Sequence, residues 1–206
     1  MFNKNLLKSK RIFLCFGCIA LLTCCKNNSK MTDYNPLLED FNTPYQTVPF
    51  DKIKAEHYVP AFKVAMEQGR EEINAIINNT EEPTFANTIE AIEKSGILLT
   101  RISSVFFNMN GAETSDDIQK AAREVAPLLS EYSNDIWLNE SLFARVKSVY
   151  DKKDELSLNT EQSMLLDQIY KSFSRSGALL GEAEKQRYRE ITAELSQLSL
   201  QFAENL

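Results

Sequence analysis

The stretch "AEHYVPAFKVAMEQGREEINAIINN", residues 55–79, decides the fold class, because its apolar side chains recur at the spacing of one helical face. Val59, Phe62 and Met66 begin this face, and Ile73 and Ile77 continue it two turns further on. Pro60 falls within the first turns, where its missing N–H is best tolerated. The pattern predicts an amphipathic helix whose apolar side packs against other helices.

The same helical periodicity continues through the rest of the chain. Five further helices are predicted, with these boundaries: Thr84 to Gly111, Thr114 to Asn139, a short helix after Asn139, Asn159 to Gly177, and Gly181 to the terminus. Thr114 and Asp117 have capping-box spacing, and Pro127 is expected to kink its helix. With only six glycines and six prolines and no convincing strand, the chain is predicted to be all-α.

Two apolar patterns give more detailed predictions. One stripe is expected to run along a single helix through Phe85, Ile89, Ile92, Leu99, Ile102 and Phe106. Residues 26–50 carry three prolines and little periodicity, so they are expected to be extended. Their docking contacts on the helical body are expected to be Leu37, Leu38, Phe41, Tyr45 and Phe50. Phe106, Phe107 and Trp137 are interpreted as core, with an interface as the alternative.

The last helix ends in "REITAELSQLSLQFAENL", residues 189–206, without a strong stop signal. Its apolar residues alternate at steps of three and four: Tyr188, Ile191, Leu195, Leu198 and Phe202. Such a stripe must be covered by something. The prediction is that this seam is not covered within the 206 residues, and that the chain is one part of a longer protein.

The first 25 residues have a different character. Four basic residues precede an apolar run from Ile12 to Leu22, and small residues and cysteine follow. This is the three-part pattern of a secretory signal, and the run is too short to span a bilayer. The ending "LLTCC" resembles a lipobox, which implies cleavage before Cys25 and lipidation of its sulfur. Cys24 is the less well placed alternative, and an ordinary signal peptide with incidental cysteines is another.

Charge and cysteine content exclude several kinds of function. All four cysteines lie at or before Cys25, so the body after it contains no thiol for a disulfide, a nucleophile or a zinc ligand. The net charge is −6, and it becomes −10 without residues 1–24, which include four basic and no acidic residues. No basic block is present in the body, so nucleic acid is not expected as a partner.

The body offers few candidates for catalysis. The only histidine is His57, which is interpreted as structural because an isolated imidazole cannot build a metal site or a hydrolase triad. The acidic pairs Glu67 with Glu71 and Glu190 with Glu194 are interpreted as solvated surface. The segment 151–162 lacks the ligand and glycine positions of a calcium loop, and "GALLGEAEK" lacks those of a phosphate loop. No catalytic or metal-binding residue is therefore assigned, and Cys25 is the single predicted modification site.

Three ordered stretches carry a resemblance to a known family: "PFDKIKAEHYVPAF" at 49–62, "EPTFANTIEAIEKSGILLTRISSVFFNMNGAETSD" at 82–116, and "FSRSGALLGEAEKQRYREITAELSQLSLQFAENL" at 173–206. They resemble the amino-terminal region of the thimet oligopeptidase family of zinc metallopeptidases. The likeness is closest to the bacterial peptidyl-dipeptidase branch, chiefly through "FSRSGALL", and it covers nearly everything after residue 33.

The resemblance implies an elongated, all-helical part of a two-half channel peptidase that acts on oligopeptides. In the family, zinc is held by two histidines of an HExxH motif and a later glutamate, none of which has a counterpart here. Together with the signal and lipobox patterns, the predicted organisation is a signal peptide at 1–24, a lipidated tether at 25–50 and a helical domain at 51–206 that lacks the zinc site.

The lipobox-like ending predicts a location in the bacterial cell envelope, with a lipid anchor in the membrane and the body facing the periplasm or held at the outer membrane. The 206 residues alone are expected to bind no catalytic zinc and to be inactive. Two alternatives remain open: an endopeptidase of the oligopeptidase A type, and a non-catalytic helical lipoprotein module.

Overall fold

The computed structural model describes residues 34–204, and every regular element within that range is helical. Its α-helices are α1 (Ala55–Ile77), α2 (Ala91–Glu93), α3 (Ile97–Ala112), α4 (Asp116–Trp137), α5 (Glu140–Asp151), α6 (Thr160–Arg175) and α7 (Glu182–Glu204). A π-helical segment, Phe85–Glu90, leads into α2, and 3₁₀ turns occupy Pro44–Gln46 and Lys153–Glu155. The predicted all-α fold class is confirmed for this part of the chain. The predicted signal sequence and Cys25 lie outside the described residues.

Several predicted helix ends are confirmed. Asn139 accepts a hydrogen bond from the Leu142 amide at 2.9 Å and starts α5. Asn159 accepts from the Gln162 amide at 2.9 Å, while the Gln162 side chain accepts from the Asn159 amide at 3.1 Å. Gly177 follows the end of α6 with a φ of +91°, the left-handed conformation that commonly closes a helix. These polar and glycine signals act locally, so they could be recognised from the residues alone.

Two other predicted ends are wrong. The cap of α4 is Ser115 rather than Thr114, because the extended Ser115 directs its hydroxyl to the Ile118 amide at 3.3 Å. Gly111 does not stop α3, which runs on to Ala112.

The predicted single helix from Thr84 to Gly111 is also wrong. Gly96 adopts a φ of +68° and precedes α3, so the helix is broken between α2 and α3. The carboxylate of Glu72 on α1 accepts a hydrogen bond from the Gly96 amide at 2.7 Å, which supplies a partner for the new helix start. Thr84 does cap the π-helical segment, since its hydroxyl accepts a hydrogen bond from the Asn87 amide at 3.1 Å.

This break divides the apolar stripe between two clusters. The first core comprises buried residues of α1, α3 and α4 and of the segment before α1, with Phe62, Ile102, Phe106 and Val125 at its centre. The second core combines the end of α1 with the π-helical segment, α5 and α6, with Ile89, Leu142, Val146 and Phe173 at its centre. Helix α1 contributes to both cores and therefore joins them.

The segment before α1 docks on the first core, although not through every predicted residue. Leu37 is fully buried, and Leu38 and Phe41 pack against the core. Tyr45 is 99% exposed and Phe50 is 51% exposed, so the prediction is wrong for these two aromatic side chains. Tyr45 lies within the 3₁₀ turn at a φ of 58°, a backbone conformation that the hydrophobic pattern did not anticipate.

The aromatic residues interpreted as core are mostly confirmed. Phe106 is fully buried, and its ring lies 5.4 Å from that of Phe62 in an edge-to-face arrangement. Trp137 is half-buried against the second core, with its ring 4.9 Å from that of Phe173. Phe107 is the exception, since 42% of it remains exposed.

Candidate interaction surface

The outer face of α7 carries an uncovered apolar surface, called here the α7 seam. Its four members Ile191, Leu195, Leu198 and Phe202 are 47%, 59%, 52% and 68% exposed, in that order. Tyr188, one turn before Ile191, is half-buried. Four large apolar side chains on one helical face are unusual on the surface of a soluble protein unless a partner covers them. The prediction that this seam is not covered by the chain is thereby confirmed for the residues that the structure describes.

A different face of α7 attaches it to the body, and this face is polar. Thr192 accepts a hydrogen bond from the Asn134 side chain at 2.8 Å. One turn earlier, Arg189 pairs with Asp135 of α4 at 3.1 Å. Asp135 also pairs with Arg70 of α1 at 3.3 Å, so one carboxylate links three helices. Polar side chains, which are also well solvated when exposed to water, therefore make much of the contact between α7 and the body.

A third polar contact fixes the first turn of α7. Lys185 is buried, with its side chain 6% exposed, and its ammonium contacts Glu140 at the start of α5 and Glu182 at 3.4 Å. The hydrogen bond between Lys185 and Glu140 raises the pKa of Lys185 and lowers the pKa of Glu140, because each charge stabilises the other. Leu200, near the other end of α7, is the apolar residue of this helix that packs on the first core.

The amphipathicity of α7 is thus inverted relative to an ordinary surface helix. Hydrogen bonds and ion pairs connect it to α4, whereas its regular apolar stripe faces solvent. In a globular protein, the apolar stripe of a surface helix normally faces the core. We therefore take the α7 seam as the candidate functional site.

The residues considered as catalytic candidates lie apart from the α7 seam or on the exposed surface. The His57 Nδ1 atom accepts a hydrogen bond from the Lys54 amide at 3.1 Å, which closes the first turn of α1. Glu67 and Glu71 are exposed on α1, and Glu190 and Glu194 are exposed on α7. The segment that superficially has the length of a calcium loop contains the 3₁₀ turn between α5 and α6.

The described residues do not fit a zinc centre. Within residues 34–204, no three side chains of histidine, cysteine, aspartate or glutamate are grouped so that they could hold a metal ion. His57, the single imidazole, already has a partner at a helix terminus. No metal chemistry is therefore assigned to this part of the chain. Cys25, the predicted lipidation site, lies outside the described residues.

The surface groove between α1 and α4 does not form a recognisable binding or catalytic site. A groove of about 450 Å³ lies between the first turns of α1 and α4, where Lys54 and Lys120 are accompanied by Glu56, Asp117 and Glu124. Its charges are mixed, and Glu124 already pairs with Lys63 at 2.9 Å. No helix within residues 34–204 combines the length and hydropathy needed to cross a membrane.

The polar contacts beneath α7 were not foreseen from the sequence. Arg189 and Asp135 are 54 positions apart, and Lys185 and Glu140 are 45 positions apart. Neither pair has a local spacing rule that would connect its members. Only the periodic apolar stripe gave a signal at this site, and it indicated the outer face of α7 correctly.

No family profile matches the chain, but individual curated proteins do. Dipeptidyl carboxypeptidase of Salmonella typhimurium is 43% identical over 172 residues, which cover 84% of this chain and 25% of the relative. Dipeptidyl carboxypeptidase of Escherichia coli is 42% identical over 176 residues, 85% of this chain and 26% of the relative. Oligopeptidase A of Escherichia coli is 33% identical over 172 residues, 84% of this chain and 25% of the relative. The chain spans about a quarter of the length of these relatives.

Proposed function

Since this chain is a homologue of the dipeptidyl carboxypeptidases and oligopeptidases A of the thimet oligopeptidase family, we propose that it forms the amino-terminal portion of a zinc peptidyl-dipeptidase. The whole protein would release carboxy-terminal dipeptides from oligopeptides. The observation that carries this proposal is the 43% identity to a dipeptidyl carboxypeptidase over 84% of the chain.

Within that protein, residues 34–204 supply a helical framework rather than reacting groups. The two cores hold α1 to α6 together, and α7 presents its seam on the outside. We assign the zinc and its ligands to residues other than these, because the described part offers no cluster of metal ligands. The zinc would polarise the scissile carbonyl and activate water, as metal ions do in peptide hydrolysis.

Hydrolysis of a blocked tripeptide tests this function. The protein made from the whole open reading frame is expected to release the carboxy-terminal dipeptide, and a chelator should abolish the release. The purified 206-residue chain, assayed with added zinc in parallel, is expected to release none. Chelator-sensitive release by the 206-residue chain would contradict the placement of the zinc site outside it.

An endopeptidase of the oligopeptidase A type is the second candidate. It is favoured by the 33% identity to oligopeptidase A of Escherichia coli over the same share of the chain. Mass spectrometry of the products from a ten-residue peptide separates the two activities. Stepwise loss of dipeptides from the carboxy terminus supports the peptidyl-dipeptidase, and internal cleavage with no dipeptide ladder supports the endopeptidase.

A non-catalytic helical module is the third candidate, and the exposed α7 seam gives it some support, because a binding module also needs a contact surface. The DNA downstream of codon 206 decides the question. An open frame that encodes HExxH would exclude this module, whereas an immediate stop followed by unrelated sequence would favour it.

We also propose that the protein is a lipoprotein of the bacterial cell envelope, anchored through Cys25 after cleavage of residues 1–24. The support is the basic, apolar and small-residue pattern that ends in "LLTCC". Cells that express the wild-type chain with labelled palmitate should yield a labelled protein in the membrane fraction. Cys25→Ser should lose the label, and Cys24→Ser should retain it. Label that follows Cys24 instead would move the cleavage site by one residue.

A further inference from the structure

The α7 seam has the repeat of a coiled-coil contact. Tyr188, Ile191, Leu195, Leu198 and Phe202 alternate at steps of three and four, which averages 3.5 residues and corresponds to positions a and d of a heptad. A seam restricted to a and d is narrower than the apolar face by which a helix joins a globular core. It suits a single neighbouring helix, whose side chains fit between those of α7.

Only one of the two flanks of the seam is exposed for contact with a partner helix. On one side, Lys185 and Thr192 are engaged with the body through Glu140 and Asn134. On the other side, Arg187, Glu194 and Gln201 are exposed to solvent. These three residues occupy the heptad position that flanks a coiled-coil contact and commonly pairs with charges on the partner helix.

We propose that one α-helix from the remainder of the peptidase packs lengthwise along the α7 seam in coiled-coil geometry. This inference rests on the proposed function, which supplies the further chain. A complementary helix would carry apolar residues at the same 3.5-residue repeat and a basic side chain opposite Glu194. Because such a helix would belong to the same molecule, its effective concentration is high and a contact of two heptads is sufficient.

A second copy of the chain fits the seam less well. In a parallel pair, Glu194 of one copy would face the uncharged Ser199 of the other, so no ion pair would form. In an antiparallel pair matched over Tyr188–Leu198, the two Glu194 side chains would lie on the same flank and repel each other. Specific dimers also bury about 1,200–2,000 Å² in total, which is more than a seam of four or five side chains provides.

Photo-crosslinking tests the proposal in the protein made from the whole reading frame. A benzophenone amino acid is placed at Ile191 or Leu198 in the seam, and at the exposed Ala193 on the opposite side of α7 as a control. The two seam positions should cross-link to one segment, at sites about seven residues apart, because seven helical residues span about 10 Å. An extended partner would give sites about three residues apart. The control position should give no cross-link to that segment.

Several results would overturn the inference: cross-links about three residues apart, cross-links into two separate segments, no cross-link from the seam, or cross-links between two copies of α7. The dipeptide-release assay on the same preparations tests the proposed peptidase function independently of the proposed helix contact. Activity without the expected cross-links would reject the helix and leave the peptidase. The expected cross-links in a protein that releases no dipeptide would reject the peptidase and leave the helix.

Discussion

The phenol oxygen of Tyr132 on α4 lies over Gly69 on α1, and a β-carbon at position 69 would be only 2.2 Å from it. Real β-carbons essentially never approach another atom this closely. The pKa of Tyr132 is raised by burial and, to a lesser extent, by the negative charge of Glu72, whereas Arg70 lowers it. The absence of a side chain at Gly69 therefore sets how closely α1 and α4 can pack.

Gly69→Ala is expected to lower the free energy of unfolding by about 1–2 kcal/mol, because the cost of overpacking exceeds the gain in helix propensity. Gly111→Ala is the matched control on α3, since a β-carbon there has no neighbour within 4 Å. It is expected to stabilise the chain by about 0.5–1 kcal/mol. Urea unfolding followed by circular dichroism measures both, and a stabilised Gly69→Ala variant would contradict the tight contact.

Replacing members of the α7 seam should reduce surface hydrophobicity with little cost in stability. For Leu195→Gln combined with Leu198→Gln, the free energy of unfolding of the 206-residue chain is expected to change by less than about 0.5 kcal/mol. Binding of a hydrophobic dye and aggregation should both fall. Leu200→Gln on the same helix is the control, and it should destabilise the chain because Leu200 packs on the first core.

This comparison also tests whether the seam is open in the isolated chain. If the double variant loses as much stability as Leu200→Gln, the seam is covered within the chain and the argument for an outside partner fails.

The ion pair of Lys185 with Glu140 should give a pH-dependent contribution to stability. The raised pKa of Lys185 means that its contribution is present below the ordinary value of 10.5 and is lost as the pH rises through the raised value. The lowered pKa of Glu140 means that its contribution is present above the ordinary value of 4.5 and is lost as the pH falls through the lowered value. Both side chains are therefore charged and paired between these limits.

Lys185→Met is expected to lower the melting temperature by a few degrees between about pH 5 and 10. The difference from the wild-type chain should become smaller at more acidic and more alkaline pH. Lys171→Met is the control, because Lys171 is 56% exposed and pairs with Asp167 at 3.6 Å on the surface. A difference for Lys185→Met that stays constant from pH 3 to pH 11 would show that packing, rather than the charge pair, supports α7.

Arg145 connects α5 to the loop before the π-helical segment. Its guanidinium donates to the Asn79 carbonyl at 2.7 Å and reaches the Asn87 side chain at 3.4 Å. Arg145→Met is expected to lower the free energy of unfolding by about 1.5–3 kcal/mol, since carbonyl groups in this loop lose a charged donor.

Hydrogen exchange measures the local part of that effect, and amides of residues 78–90 should exchange faster in Arg145→Met. Arg187→Met on the exposed flank of α7 is the control and should change stability by less than about 0.5 kcal/mol. Unchanged exchange in residues 78–90 would show that the loop is held by other contacts.

The sequence was sufficient for features that depend on a few consecutive residues. Asn139 and Asn159 cap their helices, because a short amide side chain can reach an amide three positions later. The apolar repeat of α7 identified the seam, since a helical period places residues three and four apart on one face. The sequence did not reveal the break at Gly96, where the left-handed backbone of the glycine and the Glu72 carboxylate of another helix support a new helix start.

The residues alone therefore determined that the chain is helical and which side of α7 is apolar, because backbone hydrogen bonding and side-chain periodicity are local properties. Only the tertiary structure decided that the stripe from Phe85 to Phe106 divides between two cores, and that Arg189 and Lys185 hold α7 by its polar side. Those arrangements depend on contacts between residues distant in sequence, 24 positions for Gly96 with Glu72 and 45 or more for the ion pairs of α7, whose geometry is set by how closely the helices pack.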